Sequence, residues 1–441
     1  MPARMPALLA APAEAEGQLW LTGARLFDGT GTAVRPNAGV LVQGGAIVRV
    51  GDASDAVPQG ATTIDLRGRT LMPGLIDSHV HLGNSGADLE PAHGSEPLWP
   101  GTRAHFVGSS LREALRVGVT TMRDVGSYGD QLLEARQAMR YGAFRGPRLL
   151  TCGRIVSATS PGGRFFDGMY READGPEEVR KAVREQLRRG ADFVKVMMTG
   201  ARTVELEDPG PAQMTRAEIA ALVEETHRLG YLVAAHAEGL PGTEMAIEEG
   251  VDTVEHGMYL HQRPELLDQM AGAGQVLVPT LSCFYGVAGI ADPDQRMGTD
   301  GDRPWSPMLV ELAKYNLEQA DRTLRAARSA GVRIALGHDW HPAWNSAIEI
   351  VRMVHHGLSA HESLVAATAV AGQALGLGDH VGTVEQGKLA DLVVVDGDPL
   401  QDPRLLLNRD RIWLVIQLGS PVAGAALENG LDTLARLPTP A

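Results

Sequence analysis

The chain has 441 residues, 44% hydrophobic and 21% charged, with a formal net charge of −14. Such a length can bury a large core, the composition is that of a soluble globular protein, and the acidic balance disfavours a nucleic-acid or anionic-membrane surface. Only two cysteines occur, Cys152 and Cys283, so disulfides are not the stabilising principle; with no apolar run of membrane-spanning length, a reducing, cytoplasmic location is expected.

Residues 1–17 combine one arginine, a short apolar patch and an Ala-Glu-Ala, and read as a disordered leader. From 18 to 70 the texture changes to short alternating apolar runs, QLWLTGARLFDG, GVLVQGGAIVRVG and ATTIDLRGRTLMPG, with Gly44-Gly45 as a hairpin turn. The end of the chain, 381–430, has the same texture in GTVEQGKLADLVVVDGDPL and RIWLVIQLG, with a turn at Gly387. The two ends are expected to pack together as one small β-sandwich domain.

Between them, 71–380 alternates strand-like and helix-like stretches. The strand candidates are GLIDSHVHL, VTTMRDVG, PRLLTCGRIV, DFVKVMMT, YLVAAHAEG, TVEHG, VLVPTL and VRIALGHD. The helix-like stretches include REALRVG, PEEVRKAVREQLRRG, TRAEIAALVEETHRLG, GTEMAIEEG and LAKYNLEQADRTLRAARSAG, and their terminal glycines suit helix C′ positions. This alternation predicts an α/β fold, a (β/α)8 TIM barrel, with a doubly wound open sheet as the competing architecture.

Active sites of such barrels lie at the C-terminal strand ends. The first strand ends in His79-Val80-His81. Positions i and i+2 of a strand face the same way, so the two imidazoles converge, as neutral ligands of one cation or as two ordinarily hydrogen-bonded histidines; spacing alone leaves both readings open. Lys195 lies on the fourth strand among Phe193, Val194, Val196 and Met197, where an ammonium is costly unless paired, neutralised or modified. A neutral amine there can capture CO2 as a carbamate and so become an oxygen ligand. His236, His256 and Asp339 end the fifth, sixth and eighth strands. Singly each has a structural explanation; jointly the six make a coherent binuclear site.

The segments PGLIDSHVHL, GVTTMRDVG, GADFVKVMMTG, VAAHAEG, VDTVEHG, VPTL, the Asp of LGHD, and GTVEQGKLADLVVVDGDP resemble the amidohydrolase superfamily over nearly the whole chain. The resemblance is to the branch of imidazolonepropionase-like proteins and metal-dependent, prolidase-like dipeptidases, with ochratoxin-type amidases nearby. It implies two divalent ions, zinc by the donor set. His79, His81 and Asp339 would hold the more buried ion, His236 and His256 the more exposed one, and carbamylated Lys195 with a hydroxide would bridge both. Catalytic roles then fall to Asp339 as proton shuttle, Lys195 and His256. The implied activity is hydrolysis of an amide C–N bond in dipeptides or N-acyl amino acids. Xenobiotic aryl amides, cyclic amides or lactones are the alternative, and a non-catalytic scaffold is disfavoured because all six ligands are in place. Imidazolonepropionase itself lacks the bridging lysine, so Lys195 argues against that activity.

Substrate contacts are less distinct. Arg164 in TSPGGRFFDG stands where relatives place a histidine, and reads as a carboxylate grip or a solvated loop residue. Tyr259 follows the EHG segment as a substrate-binding or packing tyrosine. Trp340, His341 and Trp344 in GHDWHPAWNS are expected at the entrance, and His338 is expected to be structural. Residues 284–307 read as a long loop and candidate lid, and His355-His356 as helix surface. The expected partners are a small-molecule substrate and further copies of the chain, with no nucleic acid and no membrane.

Overall fold

A computed structural model describes residues 17–84, 99–290 and 305–430. The expected leader, apart from Gly17, lies outside these residues, as does 291–304 of the candidate lid.

The two chain ends do share one sheet. Its N-terminal strands are β1 (Gln18–Leu26), β2 (Arg35–Gln43), β3 (Ala46–Asp52), β4 (Thr62–Asp65) and β5 (Thr70–Pro73). Gly44 and Gly45, at φ +58° and +81°, connect β2 to β3 with Gln43 opposite Ala46. This is the two-residue turn with both central residues left-handed that glycine favours.

The middle of the chain supplies parallel strands. They are β6 (Leu75–Val80), β7 (Val119–Asp124), β8 (Arg148–Thr151), β9 (Ile155–Ser157), β10 (Tyr170–Glu172), β11 (Val194–Met197), β12 (Val233–Ala237), β13 (Thr253–His256), β14 (Val276–Val278) and β15 (Arg333–Ile334). The C-terminal strands are β16 (Leu392–Val395), β17 (Ile412–Gln417) and β18 (Ser420–Ala423). These three join the first sheet in the order β18-β17-β16-β5-β1-β2-β3, with β4 beside β1. Leu21, Leu26, Ile47, Leu71, Leu392, Val394 and Ile416 form its apolar interior.

The parallel strands form a seven-stranded sheet, β10-β9-β11-β12-β13-β14-β15, and a three-stranded sheet, β6-β7-β8. They do not form the single closed sheet expected. One of the two gaps lies within the third expected strand, PRLLTCGRIV, which breaks into β8 and β9 where Gly153 takes φ +68°. Hydrogen bonds still cross both gaps. Asp192 N donates to Thr151 O at 2.9 Å, Ser78 N to Leu336 O at 2.9 Å, and Asp339 N to His79 O at 2.9 Å.

Helices cover these strands where their sequence signals predict. Helix Pro176–Arg189 starts with proline in its first turn and ends at Gly190, φ +112°. Helix Arg216–Arg228 is entered through a capping box of Thr215 and Glu218. Ser306 caps Pro307–Ser329. The candidate loop 284–307 therefore begins inside helix Leu281–Ala288 and ends on the first residue of Pro307–Ser329. A buried ion pair, Arg148 Nη1 to Asp391 Oδ2 at 2.6 Å, ties β8 to the composite sheet. No described helix is long and apolar enough to cross a membrane.

Candidate metal centre

The strand ends bring the expected histidines and aspartate together. Nε2 of His79 and of His81 lie 3.5 and 3.6 Å from Asp339 Oδ1, and their rings are 5.5 Å apart. His236 Nδ1 and His256 Nε2 face each other at 2.9 Å. The rings of His79 and His256, 5.3 Å apart, join the two groups. His79-His81-Asp339, His236-Glu238-His256 and His256-Cys283-Asp339 each bring three ligand atoms within 4.8 Å of one another.

Backbone geometry makes this convergence possible. His256, Thr280 and Asp339 are non-glycine residues with positive φ, +73°, +48° and +46°, all at C-terminal strand ends of the cluster. Such residues are uncommon and concentrate at functional sites. Gly337 meets His79 closely: a Cβ there would lie 2.7 Å from His79 Cβ and 2.4 Å from Val278 Cγ1.

Each imidazole has a hydrogen-bond partner, and for three of them that partner fixes the tautomer. His79 Nδ1 donates to Glu255 Oε2 at 2.7 Å, His81 Nδ1 to Gly126 O at 2.9 Å, and His236 Nε2 to Gly200 O at 3.2 Å. His256 Nδ1 is 2.7 Å from Thr280 Oγ1, a hydroxyl that also lies 2.8 Å from Pro279 O. Carboxylates and carbonyls only accept, so the opposite nitrogens of His79, His81 and His236 carry lone pairs. Burial, reinforced by neighbouring positive charge, holds the pKa values of His79, His236 and His256 well below the usual range, so these rings are neutral. His236 Nδ1 and His256 Nε2, both on neutral rings, thus face each other at a distance that one shared proton or a cation satisfies. Imidazole nitrogens with a carboxylate are a suitable donor set for a cation.

Lys195 fits the same conclusion. It is buried, and its Nζ has no hydrogen-bond partner among the described residues. Burial pulls its pKa from the usual lysine range to about 8, against the opposing pull of Glu255. A buried amine without a partner is costly unless modified or placed beside a charge. By side-chain exposure, His81 at 22% and Asp339 at 15% are more open than His236 at 8%, so the expected order of burial of the two ion positions is not reproduced by the ligands.

The supporting residues were not legible in the sequence. Arg123 Nη2 donates to Glu255 Oε1 at 2.8 Å and its Nε to Ser78 O at 2.6 Å, all buried. Glu255 thus links His79 to a guanidinium beneath the cluster. Asp77 Oδ1 accepts from the backbone N–H groups of His79 and His338 at 3.0 and 3.2 Å, and burial raises its pKa to about 7. His338 is buried beside it.

The substrate candidates divide. Tyr259, half-buried, donates to Asn316 Oδ1 at 2.8 Å and is close enough to Glu238 and Arg202 to feel their charge. Trp340 and His341 lie side by side, ring centroids 5.9 Å apart and planes tilted by 55°, with Trp305 6.3 Å from Trp340 and His341 near enough to perturb His81. Arg164 is exposed on the short helix Pro161–Phe165 and makes no hydrogen bond to the cluster. The arginine beside the histidines is instead Arg202: buried, paired with Glu238, in contact with Cys283 Sγ, and stacked 4.1 Å over Phe284. Glu238 Oε1 is in turn 3.4 Å from His236 Nε2. Of the His355-His356 pair, only His355 is surface. His356 is buried between Asp321 Oδ1 at 2.8 Å and Tyr285 OH at 2.9 Å.

Residues 70–422, most of the chain and all of this cluster, match the model of the amidohydrolase family. The chain belongs to the amidohydrolase family. Among its amidohydrolase relatives is an ochratoxinase from Aspergillus niger, 30% identical over 430 residues, covering 90% of this chain and 85% of that protein. An imidazolonepropionase from Symbiobacterium thermophilum is 27% identical over 424 residues, covering 85% and 86%. Of solved structures, a Xaa-Pro dipeptidase with methionine bound in its active site superposes with a TM-score of 0.81 at 29% identity, covering 92% of this chain and all of that one. Amidohydrolases typically use metal ions, and this one is a hydrolytic, amide-cleaving enzyme acting on small molecules.

Proposed function

We propose that this amidohydrolase is a binuclear metal-dependent hydrolase of the C–N bond in dipeptides or N-acyl amino acids. The observation that carries the reading is the convergence of His79, His81 and Asp339 with the facing nitrogens of His236 and His256, 2.9 Å apart, together with a buried Lys195 amine that has no hydrogen-bond partner among the described residues. His79, His81 and Asp339 would hold one ion, His236 and His256 the other, and Lys195 would bridge as its carbamate. Zinc suits this set of imidazole and carboxylate-type donors. When bound, the ions would polarise the scissile carbonyl and acidify the attacking water.

The chain's own residues supply the rest. Neutral Lys195 attacks CO2 through its Nζ lone pair; the N–C bond forms and the amine proton leaves to solvent. Asp339, its Oδ1 between the Nε2 atoms of His79 and His81, accepts the proton of the attacking water and returns it to the leaving amine nitrogen. His256 is held for its role by Thr280. Tyr259, Trp340 and His341 line the approach.

The same reading takes the two parallel sheets as the two arcs of a (β/α)8 barrel over 71–380, supported by the hydrogen bonds that cross both gaps between them. The composite sheet is then a separate β-sandwich domain of 18–70 and 381–430. A second substrate class, aryl amides, is favoured by the paired indoles of Trp305 and Trp340 and by the likeness to an ochratoxinase.

Zinc-loaded protein prepared with bicarbonate should release amine from a panel of dipeptides and N-acyl amino acids. Silence on that panel with turnover of aryl amides would move the assignment to the second class. Silence on both would sink it.

A further inference from the structure

We propose that the Cys283 thiol is itself a metal ligand, giving this site a sulfur donor alongside His256 and Asp339. The inference rests on the metal-centre reading above and extends it to a residue outside the expected ligand set.

Cys283 lies in the first turn of helix Leu281–Ala288, five residues beyond the end of β14. Thr280, left-handed at φ +48°, turns the chain there. The turn brings Sγ to the centre: the ligand atoms of His256, Cys283 and Asp339 all lie within 4.8 Å of one another. Two of these three belong to the set that already converges on the ions, so the sulfur reaches the same volume.

Burial pushes the Cys283 thiol up against the opposing pull of Arg202, so the sulfur keeps its proton until an ion displaces it. That sulfur, in a side chain 4% exposed, receives an N–H of the Arg202 guanidinium, while the S–H is aimed at Thr280 O, 3.1 Å away. A neutral thiol is a weak acceptor, and a buried guanidinium hydrogen spent on it is poorly used. A metal-bound thiolate is a full anion, and the same hydrogen then makes a charge-assisted bond that tunes the ligand. Cys152, packed among Ile76, Val125 and Leu150 in an apolar cluster, directs its S–H to the neighbouring Gly153 O at 3.5 Å. Arg202 is also held from behind by Glu238 and by the face of Phe284, so it is fixed toward the sulfur.

On metal binding the S–H bond breaks, its proton passes to solvent, and the sulfur lone pair forms the new bond. A thiolate softens the donor set and biases the site toward zinc, cobalt or cadmium over manganese or magnesium.

Cobalt(II) reports sulfur ligation directly. The full chain, prepared with bicarbonate and loaded with cobalt(II), should show a near-ultraviolet sulfur-to-cobalt charge-transfer band in addition to visible d–d bands. The band should persist in Cys152→Ser, which leaves Cys283 as the only thiol, and be lost in Cys283→Ser. If Cys283→Ser does not fold, the wild type and Cys152→Ser decide the matter alone. Visible d–d bands without the charge-transfer band would overturn the sulfur ligand and leave the metal centre standing. A protein with no cobalt bands at all would overturn both.

Discussion

Glu255 Oε2 accepts from His79 Nδ1 at 2.7 Å while its other oxygen takes the Arg123 guanidinium at 2.8 Å. One carboxylate thus orients the imidazole of the first strand and neutralises a buried cation. Glutamine could not do both, because it offers one carbonyl oxygen and an NH2 that repels the imidazole N–H. Glu255→Gln should keep the fold and weaken metal binding roughly 10- to 100-fold, the range found when such outer partners of a ligating histidine are lost. Competition with a chelator measures it, and unchanged affinity would show that His79 needs no orienting carboxylate.

Asp339 Oδ1 faces both histidines of the His79–His81 pair, which makes it the candidate proton carrier. Asp339→Asn keeps the size and removes the basic oxygen. It should lower kcat roughly 100- to 10,000-fold, the usual worth of a positioned acid–base group. Circular dichroism should show the wild-type fold. Normal turnover would remove Asp339 from the mechanism.

Activation with CO2 should depend on pH through Lys195. Burial lowers its pKa to about 8, and only the neutral amine reacts. The sign is therefore fixed: the reactive fraction rises about tenfold per pH unit below 8 and levels off above it. The rate at which metal-free protein regains activity in CO2 and zinc should follow that curve between pH 6 and 9, in roughly those limits. A flat profile would contradict the buried neutral amine.

Gly286 carries Trp340. A Cβ there would fall 1.9 Å from the indole Cε2, so the ring lies directly on the glycine. Gly286→Ala must push Trp340 aside, at a cost of about 1–3 kcal/mol from overpacking. If Trp340 lines the substrate approach, KM should rise several-fold with kcat less affected. Equal kinetics in a folded variant would place Trp340 outside the approach.

Much of this site was legible because its signals are local. The His79–His81 spacing, the glycines closing helices at 190, 230, 250 and 331, and the Gly44–Gly45 turn each need only a few neighbouring residues. Glu255 was hidden by the alternation rule, which sends neighbours on a strand to opposite sides. The left-handed backbone of His256 breaks that rule, so Glu255 and His256 both reach the cluster. Arg202 and Cys283 were hidden by distance, 81 positions apart in sequence and in contact in space. The split of the third strand turns on one residue, Gly153, whose left-handed φ is not announced by its neighbours.

Metal stoichiometry tests the central claim most directly. Protein prepared with bicarbonate and zinc, freed of loose ions and measured by plasma emission, should carry two ions per chain, and Lys195→Ala should lose at least one of them. A wild-type protein that binds a single ion, or a Lys195→Ala variant that keeps two, would contradict the binuclear centre.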